Sequence, residues 1–517
     1  MSRKKTLLIG TMILTLTGMI SRVIGFFYRI FLSQTIGAEQ LGIFQLVSPV
    51  YGMALAICSA GIQTSLSRFV AARTEKKDKS GALHFVFTGT SFSLILSVFC
   101  AFLVYTFAEP LGRIILGEPR TVPLLQVTAF SLPLSVIHSC IAGWYFGRNK
   151  TGIPSVSQLL EQCVRVFSSW ILYLIFLQEG IAPSAVLAVL GTLAGDIVSC
   201  LFSLIVMKFE TTGTGFHPAS LKIQRNYLKL LLVMSFPLMA NRVCMSFLHS
   251  LETVLLPARL QCSGMTASEA LSTYGILTGM AMPLIFFPSS VTNSVSVMLL
   301  PDVARNQASG NYRSIAVTIS QTIRFCLILG IFCLGVFFVL GDTMGTILFH
   351  TDTAGSFLKV LAFLCPFLYL DSTLSSILTG LGKTQQVFGQ NLLGHGIRIA
   401  FVWFAVPSLG IPGYLYGLLA SEILTSFLRL FSLYRLVPFT FHAARDLTVP
   451  SAAMILSLGG LLFLDRIPAV RSLPVTVQLI LQCSTALLLY LILLRPVFPT
   501  RFLPGKHLLK NDSAQNT

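Results

Sequence analysis

Ala129-Phe130-Ser131-Leu132-Pro133 returns 233 residues later as Ala362-Phe363-Leu364-Cys365-Pro366, and the register then holds without a gap. Gly147 and Lys150 fall on Gly380 and Lys383, Arg165 on Arg398, and Trp170 on Trp403. A second stretch repeats at an offset of 230, pairing Glu39 with Glu269, Leu41 with Leu271, Phe44 with Tyr274 and Gln63 with Asn293. Single identities of this kind mean little. A constant register from Ala129 to Trp170 means the chain carries two copies of one unit.

What repeats is membrane-spanning. Hydrophobic residues make up 54% of the chain and charged residues 11%, a balance that excludes most soluble enzyme classes. At roughly 20 apolar residues per hydrocarbon core, the sequence predicts about fourteen spans, at 6–32, 41–67, 82–108, 122–147, 153–178, 182–207, 228–257, 270–299, 314–340, 355–380, 384–409, 411–434, 447–465 and 474–495. The repeat unit is six spans. Six is even, so both copies enter the membrane in the same direction, as a parallel repeat about an axis along the membrane normal. The expected fold is all-α integral membrane, two parallel six-helix repeats forming two lobes plus two extra C-terminal helices. The expected domains are an N-terminal lobe at 1–210, a cytoplasmic linker at 211–226, a C-terminal lobe at 227–440, the additional helices at 441–500 and a cytoplasmic tail at 501–517.

The net charge of +17 sits in loops rather than in one patch, which argues for topology and against nucleic acid. Arg3, Lys4, Lys5, Arg68, Arg73, Lys76, Lys77 and Lys79 open the set of loops that shares a side with the N-terminus, and Lys506 and Lys510 close it. The opposite set holds little beyond Arg113, Arg120, Arg259, Arg466 and Arg471. The positive-inside rule places both termini in the cytoplasm. The basic start resembles a signal peptide, but its apolar run is too long and lacks a cleavage site, so a retained helix is expected. The eleven cysteines are scattered without a CxxC pair and read as small buried hydrophobes. Gly380-Leu381-Gly382-Lys383-Thr384 lacks the first glycine of a phosphate-binding loop, since Ile377 stands in its place. No HExxH or GxSxG motif is present. An enzyme is not expected, and neither is a cofactor or a metal.

Charges inside spans are then the functional signal. Arg22 and Arg29 lie seven residues apart in the first span and project from one face. Arg29 is near enough to the outer interface to snorkel; Arg22 is deeper and needs water, a carboxylate or an anionic ligand. At an offset of 230 Arg22 falls on Glu252 and Arg29 on Arg259, so the deeper position inverts its sign between copies. Arg242 and His249 share a face of span seven, and His249 is placed to reach Glu252. Glu161 and Arg165 form an i, i+4 pair in span five, whereas the copy keeps Arg398 but has Gly394 for Glu161, with His395 beside it. Arg398 is therefore the better candidate for an anion. Asp196, Asp371 and the Glu422/Arg429 pair are further buried charges, with either coupling or packing roles. The excess of arginine favours phosphate, and Gln34, Gln63, Gln158, Asn241, Asn293 and Asn391 offer sugar-type hydrogen bonds.

Three stretches carry a family resemblance: Gly18-Met19-Ile20-Ser21-Arg22-Val23-Ile24-Gly25-Phe26, Pro154-Ser155-Val156-Ser157-Gln158-Leu159-Leu160-Glu161-Gln162-Cys163-Val164-Arg165, and Tyr274 to Pro283 with Phe286-Phe287-Pro288. With these the chain resembles the multidrug/oligosaccharidyl-lipid/polysaccharide flippase superfamily, and within it the polysaccharide biosynthesis proteins of the stage V sporulation protein B group. The resemblance covers essentially residues 5–500 and implies a MATE-like two-lobed bundle working by alternating access on undecaprenyl-linked glycan precursors in bacteria. Lipid II flippases of the superfamily share a Ser-Arg-x-x-Gly-Phe motif whose arginines matter for transport. Arg22 carries over; the second arginine falls on Tyr28, with Arg29 one place late. The group name implies a role in sporulation and spore cortex peptidoglycan.

The expected function is a flippase for lipid-linked oligosaccharide, with a peptidoglycan precursor such as lipid II as the expected substrate, in the bacterial cytoplasmic membrane. Arg22, Arg29, Arg242, Arg398, Arg165, Glu161 and Glu252 are the expected cavity residues. Glu252 is expected to hold an arginine when the cavity is empty and release it to phosphate. Asp196, His249, Asp371, His395 and Glu422 are the coupling or packing candidates. The expected partners are the lipid-linked substrate, the bilayer, a coupling ion and cell-wall synthesis enzymes. The rival readings are a cation-coupled multidrug exporter, a membrane-embedded glycosyltransferase, for which the loops carry too few acidic or histidine residues, and a non-transporting partner of cell-wall enzymes.

Overall fold

The structure is a computed structural model that describes residues 3–212, 225–464 and 467–495. Residues 213–224 of the expected linker, Arg466 and the whole 501–517 tail lie outside the described residues. Among the described residues there is no strand. The main helices are α1 (Arg3–Leu55), α2 (Gly61–Glu75), α3 (Lys79–Thr106), α4 (Thr121–Gly147), α5 (Gly152–Gln178), α6 (Ala185–Thr212) and α7 (Arg225–Cys262). They continue as α8 (Ala267–Phe286), α9 (Ser289–Ala308), α10 (Tyr312–Phe349), α11 (Asp352–Gly380), α12 (Thr384–Phe404), α13 (Ile411–Leu436), α14 (Val449–Leu464) and α15 (Val475–Leu494).

Each of the fourteen expected spans coincides with helix, with two differences in how they are joined. The first two spans run on through α1 without a loop. They are parted only by Gly37, whose φ of 79° and ψ of 173° turn the chain at little steric cost. A π-helical turn at Ala56–Ala60 links α1 to α2. The eighth span is broken, α8 and α9 being bent by 59° beside Pro288, which has no N–H to continue the ladder. Ten described helices are long and apolar enough to cross a membrane, eleven with the bent pair counted as one. Ile13–Glu75 holds two spans in that count. Two expected spans fall outside it. α12 carries Gln385, Gln386, Gln390, Asn391, His395 and Arg398, and α14 has only 16 residues.

The chain divides into two compact units, one of residues 1–294 with 385–421, the other of residues 295–384 with 422–517. In the first, α5 packs along α6, α3 and α2 pack on α4, and the halves of α1 reach α5, α8 and α7. Asp78 caps α3, accepting from Gly81 N–H at 2.8 Å and from Arg73 Nη1 at 2.7 Å. The Gly81 bond first, and Arg73 second, hold its carboxyl below the usual carboxylate range.

In the second unit, α10 is the central post, packed by α11, α14 and α15. Two polar contacts tie the C-terminal helices to it. Tyr490 donates to the Ile328 carbonyl at 3.0 Å, and Arg324 Nε donates to Asp446 Oδ1 at 2.7 Å, with the Asp446 side chain only 2% exposed. Neither Arg324 nor Asp446 is among the sequence candidates. The outward faces of this pair are apolar, with Ile455, Phe463 and Ile480 exposed, as a surface facing hydrocarbon requires.

Candidate functional site

Three buried polar clusters, two accessible arginines, Arg29 and the Arg324–Asp446 pair hold most of the charges inside the spans. The first cluster lies in the first unit, where α5 and α6 approach closely. A Cβ at Gly195 would sit 2.8 Å from the Glu161 carbonyl, and one at Gly191 would clash with Ser169 Oγ, so the two glycines let the helices touch. Arg165 Nη2 meets Glu161 Oε1 at 2.5 Å, the pair read from their spacing. Across from it Asp196 is buried at 5% exposure. Tyr51 points its hydroxyl at Asp196 Oδ2, 3.5 Å away, and shares a 2.7 Å bond with Ser135 Oγ. Two carboxylates therefore sit near one guanidinium, whose Nε is buried without a hydrogen-bond partner among the described residues.

The second cluster, also in the first unit, gathers around Glu252, which is 6% exposed. Tyr414 donates to its Oε1 at 2.8 Å, and His395 Nδ1 lies 3.3 Å from its Oε2. Three residues along α12, Arg398 Nε donates to Ser421 Oγ at 2.8 Å. His249 does not reach Glu252; its Nδ1 faces Thr253 Oγ1 at 3.4 Å. The i, i+3 spacing permits the contact, but two helices from elsewhere in the chain supply better-placed partners. Glu252 is thus held by a histidine and a tyrosine, where the sequence suggested that it holds an arginine when the cavity is empty. Replacing Tyr414 by Phe leaves a buried carboxylate oxygen without its donor. A loss of about 1–3 kcal/mol is expected, read as a lowered thermal midpoint in detergent, and an unchanged midpoint would show that the bond contributes nothing.

The third cluster lies in the second unit. Arg429, 2% exposed, pairs with the Asp371 carboxylate and donates to the Asp371 carbonyl at 2.8 Å. Glu422 is buried on the same helix. Asp371 corresponds to His138 in the repeat, and aligning α6 with α13 by their first residues places Ser203 on Arg429. In the first copy His138 Nδ1 meets Ser203 Oγ at 3.0 Å and Ser157 Oγ at 3.2 Å. One helix junction is thus a histidine–serine cluster in the first copy and an arginine–aspartate pair in the second.

The remaining arginines differ in kind. Arg29 ends at the Thr278 carbonyl, 3.3 Å away, within the π-helical turn Ile276–Ala281, where the backbone leaves its usual i to i−4 ladder. Arg22 and Arg242 are exposed and have no hydrogen-bond or ion-pair partner among the described residues. Arg22 stands about 22 Å from the Gly37 turn and Arg242 about 26 Å from the start of α7, at 1.5 Å per residue. Tyr51 and Tyr414, which serve the two buried carboxylates, carry no signal in the sequence, since a tyrosine within an apolar run looks like any other core residue.

Comparison with known proteins gives a consistent result. A family model described as polysaccharide biosynthesis protein matches residues 7–307, and a MatE model matches residues 259–404. The chain is 26% identical over 448 residues to stage V sporulation protein B of Bacillus subtilis (strain 168), covering 84% of this chain and 85% of that one. It is 25% identical over 345 residues to the lipid II flippase MurJ of the same organism, covering 62% of each. A solved structure of lipid II flippase MurJ in an inward closed conformation superposes with a TM-score of 0.72 at 14% identity, over 94% of this chain and 98% of that one.

Proposed function

The chain belongs to the polysaccharide biosynthesis protein family, and on that premise we propose that it flips a lipid-linked oligosaccharide, an undecaprenyl-pyrophosphate peptidoglycan precursor, across the bacterial cytoplasmic membrane. The observation that carries the reading is the pair of exposed, uncompensated arginines, Arg22 and Arg242. An unpaired guanidinium deep in a span is costly unless water or an anionic ligand meets it, and its planar fork suits phosphate oxygens. The pyrophosphate sits against these arginines and the glycan occupies a polar cavity between two six-helix lobes. The polyprenyl tail remains in hydrocarbon. Rocking of the lobes carries the headgroup across, with both termini in the cytoplasm as the basic loops argue. Asp196, with Tyr51 and Ser135, is the place where a coupling proton or cation would bind.

The test is reconstitution of purified protein into liposomes containing lipid II, with headgroup exposure scored by an impermeant reagent under an imposed membrane potential. Exposure above protein-free liposomes is expected. No exposure for lipid II or for any other undecaprenyl-linked glycan would overturn the reading. The MatE match favours the runner-up, a cation-coupled multidrug exporter, for which an expressing strain would gain resistance to cationic drugs. A chain that neither flips nor confers resistance but co-purifies with cell-wall synthesis enzymes would be their non-transporting partner.

A further inference from the structure

Within the first unit, the run from α1 through α2 makes two close helix crossings, one toward each end. Near the Gly37 end, α1 meets α8. Gly42 lies against the Leu271 carbonyl and Gly275 against the Ala38 carbonyl, and a Cβ at Gly275 would stand 2.7 Å from Gly42 N. Toward the end bearing the basic loops, α2 meets the start of α7. Gly61 lies against the Ser235 carbonyl, with Met239 Cβ 3.2 Å from where its own Cβ would be. One turn on, Ser235 donates to Ser65 Oγ at 2.9 Å. In both places backbone touches backbone, so any side chain larger than hydrogen forces the helices apart.

The basic-end crossing carries a second fastening. Tyr227, in the first turn of α7, packs against Phe85 of α3 with ring centroids 4.3 Å apart and planes inclined by 40°. Phe85 in turn lies parallel to Phe69 at 4.8 Å. The Arg73 guanidinium sits 5.7 Å from the Phe85 ring and 5.8 Å from the Tyr227 ring, a cation–π arrangement held from behind by Asp78. The π-helical turn Ala56–Ala60 directly precedes Gly61. Such turns interrupt the regular hydrogen-bond ladder and are frequent at functional sites.

We propose that the Gly61–Ser235–Ser65 crossing, clipped by Arg73, Tyr227 and Phe85, is the basic-side gate of the transport path, and that the Gly42–Gly275 crossing is its counterpart at the opposite end. The π turn between them absorbs the bend as one crossing parts and the other closes. The gate rests on the proposed alternating-access reading and on the proposed orientation, which makes the basic side cytoplasmic. It does not rest on the identity of the substrate.

The test uses the full chain with its native cysteines replaced and Ser246→Cys as the only thiol. Ser246 lies one turn beyond Arg242 and about 16 Å along α7 from Ser235. Labelling by an impermeant thiol reagent is read from the inner face in inverted vesicles and from the outer face in spheroplasts, without added substrate. Gly61→Leu is expected to raise inner-face labelling about tenfold, the population shift that one overpacked contact can produce. Tyr227→Ala, which removes the clip without adding bulk, should shift it the same way by less. Gly42→Leu should raise outer-face labelling instead. Unchanged or reduced inner-face labelling in both Gly61→Leu and Tyr227→Ala would overturn the gate even if the protein flips lipid II. The expected shifts in a protein that flips no lipid-linked glycan would uphold the gate and refute the substrate.

Discussion

Arg22→Ala is expected to lower the rate of lipid II headgroup exposure in proteoliposomes by about 10²-fold or more, the loss of one charge-assisted phosphate contact of roughly 2–3 kcal/mol, while insertion and thermal stability stay unchanged. The expectation rests on a contrast among the span arginines. Arg165 is paired with Glu161, Arg429 with Asp371, and Arg29 ends on a backbone carbonyl. Arg22 is exposed with no partner among the described residues, so removing it breaks nothing internal. Arg242→Ala should behave likewise, and Arg22→Lys should recover part of the rate because it keeps the charge but loses the fork. Full activity in Arg22→Ala would remove the arginine from the mechanism. A loss of activity with a fall in thermal midpoint would make it structural.

Arg429→Leu is expected to produce the opposite pattern, a loss of stability rather than the loss of a substrate contact. The side chain is 3% exposed and holds both the carboxylate and the carbonyl of Asp371. The Asp371 side chain is 23% exposed, so water partly compensates the stranded carboxylate and the expected cost is about 1–3 kcal/mol, enough to lower yield and thermal midpoint in detergent. Arg429→Lys should fall between, since an ammonium reaches one oxygen but not both acceptors. A midpoint equal to wild type would show that the Asp371 carboxylate has another means of charge compensation, and would return it to the list of coupling candidates.

The readable part of the site was the part encoded in local spacing. Glu161 and Arg165 are four residues apart on one helix, and any helical geometry brings them together. His249 and Glu252 satisfy the same kind of rule, yet Glu252 is taken by His395 and Tyr414, 143 and 162 residues away. Spacing states which contacts a helix permits. It does not state which competitor from another helix arrives with better geometry. Arg324 and Asp446 make the same point, being 122 residues apart and joined by a buried bond.

The sequence by itself determined the membrane class, the approximate number and limits of the spans, the internal duplication and the family. All of these follow from apolar run length and from register, which are properties of the chain in one dimension. Only the tertiary structure decided which charges are consumed and which are left free. In a low-dielectric interior a buried charge must find a partner, and whether Arg22 or Arg429 finds one depends on which helices pack against it. Close packing is in turn set by small residues such as Gly61, Gly195 and Gly275, whose facing backbones no linear reading reveals.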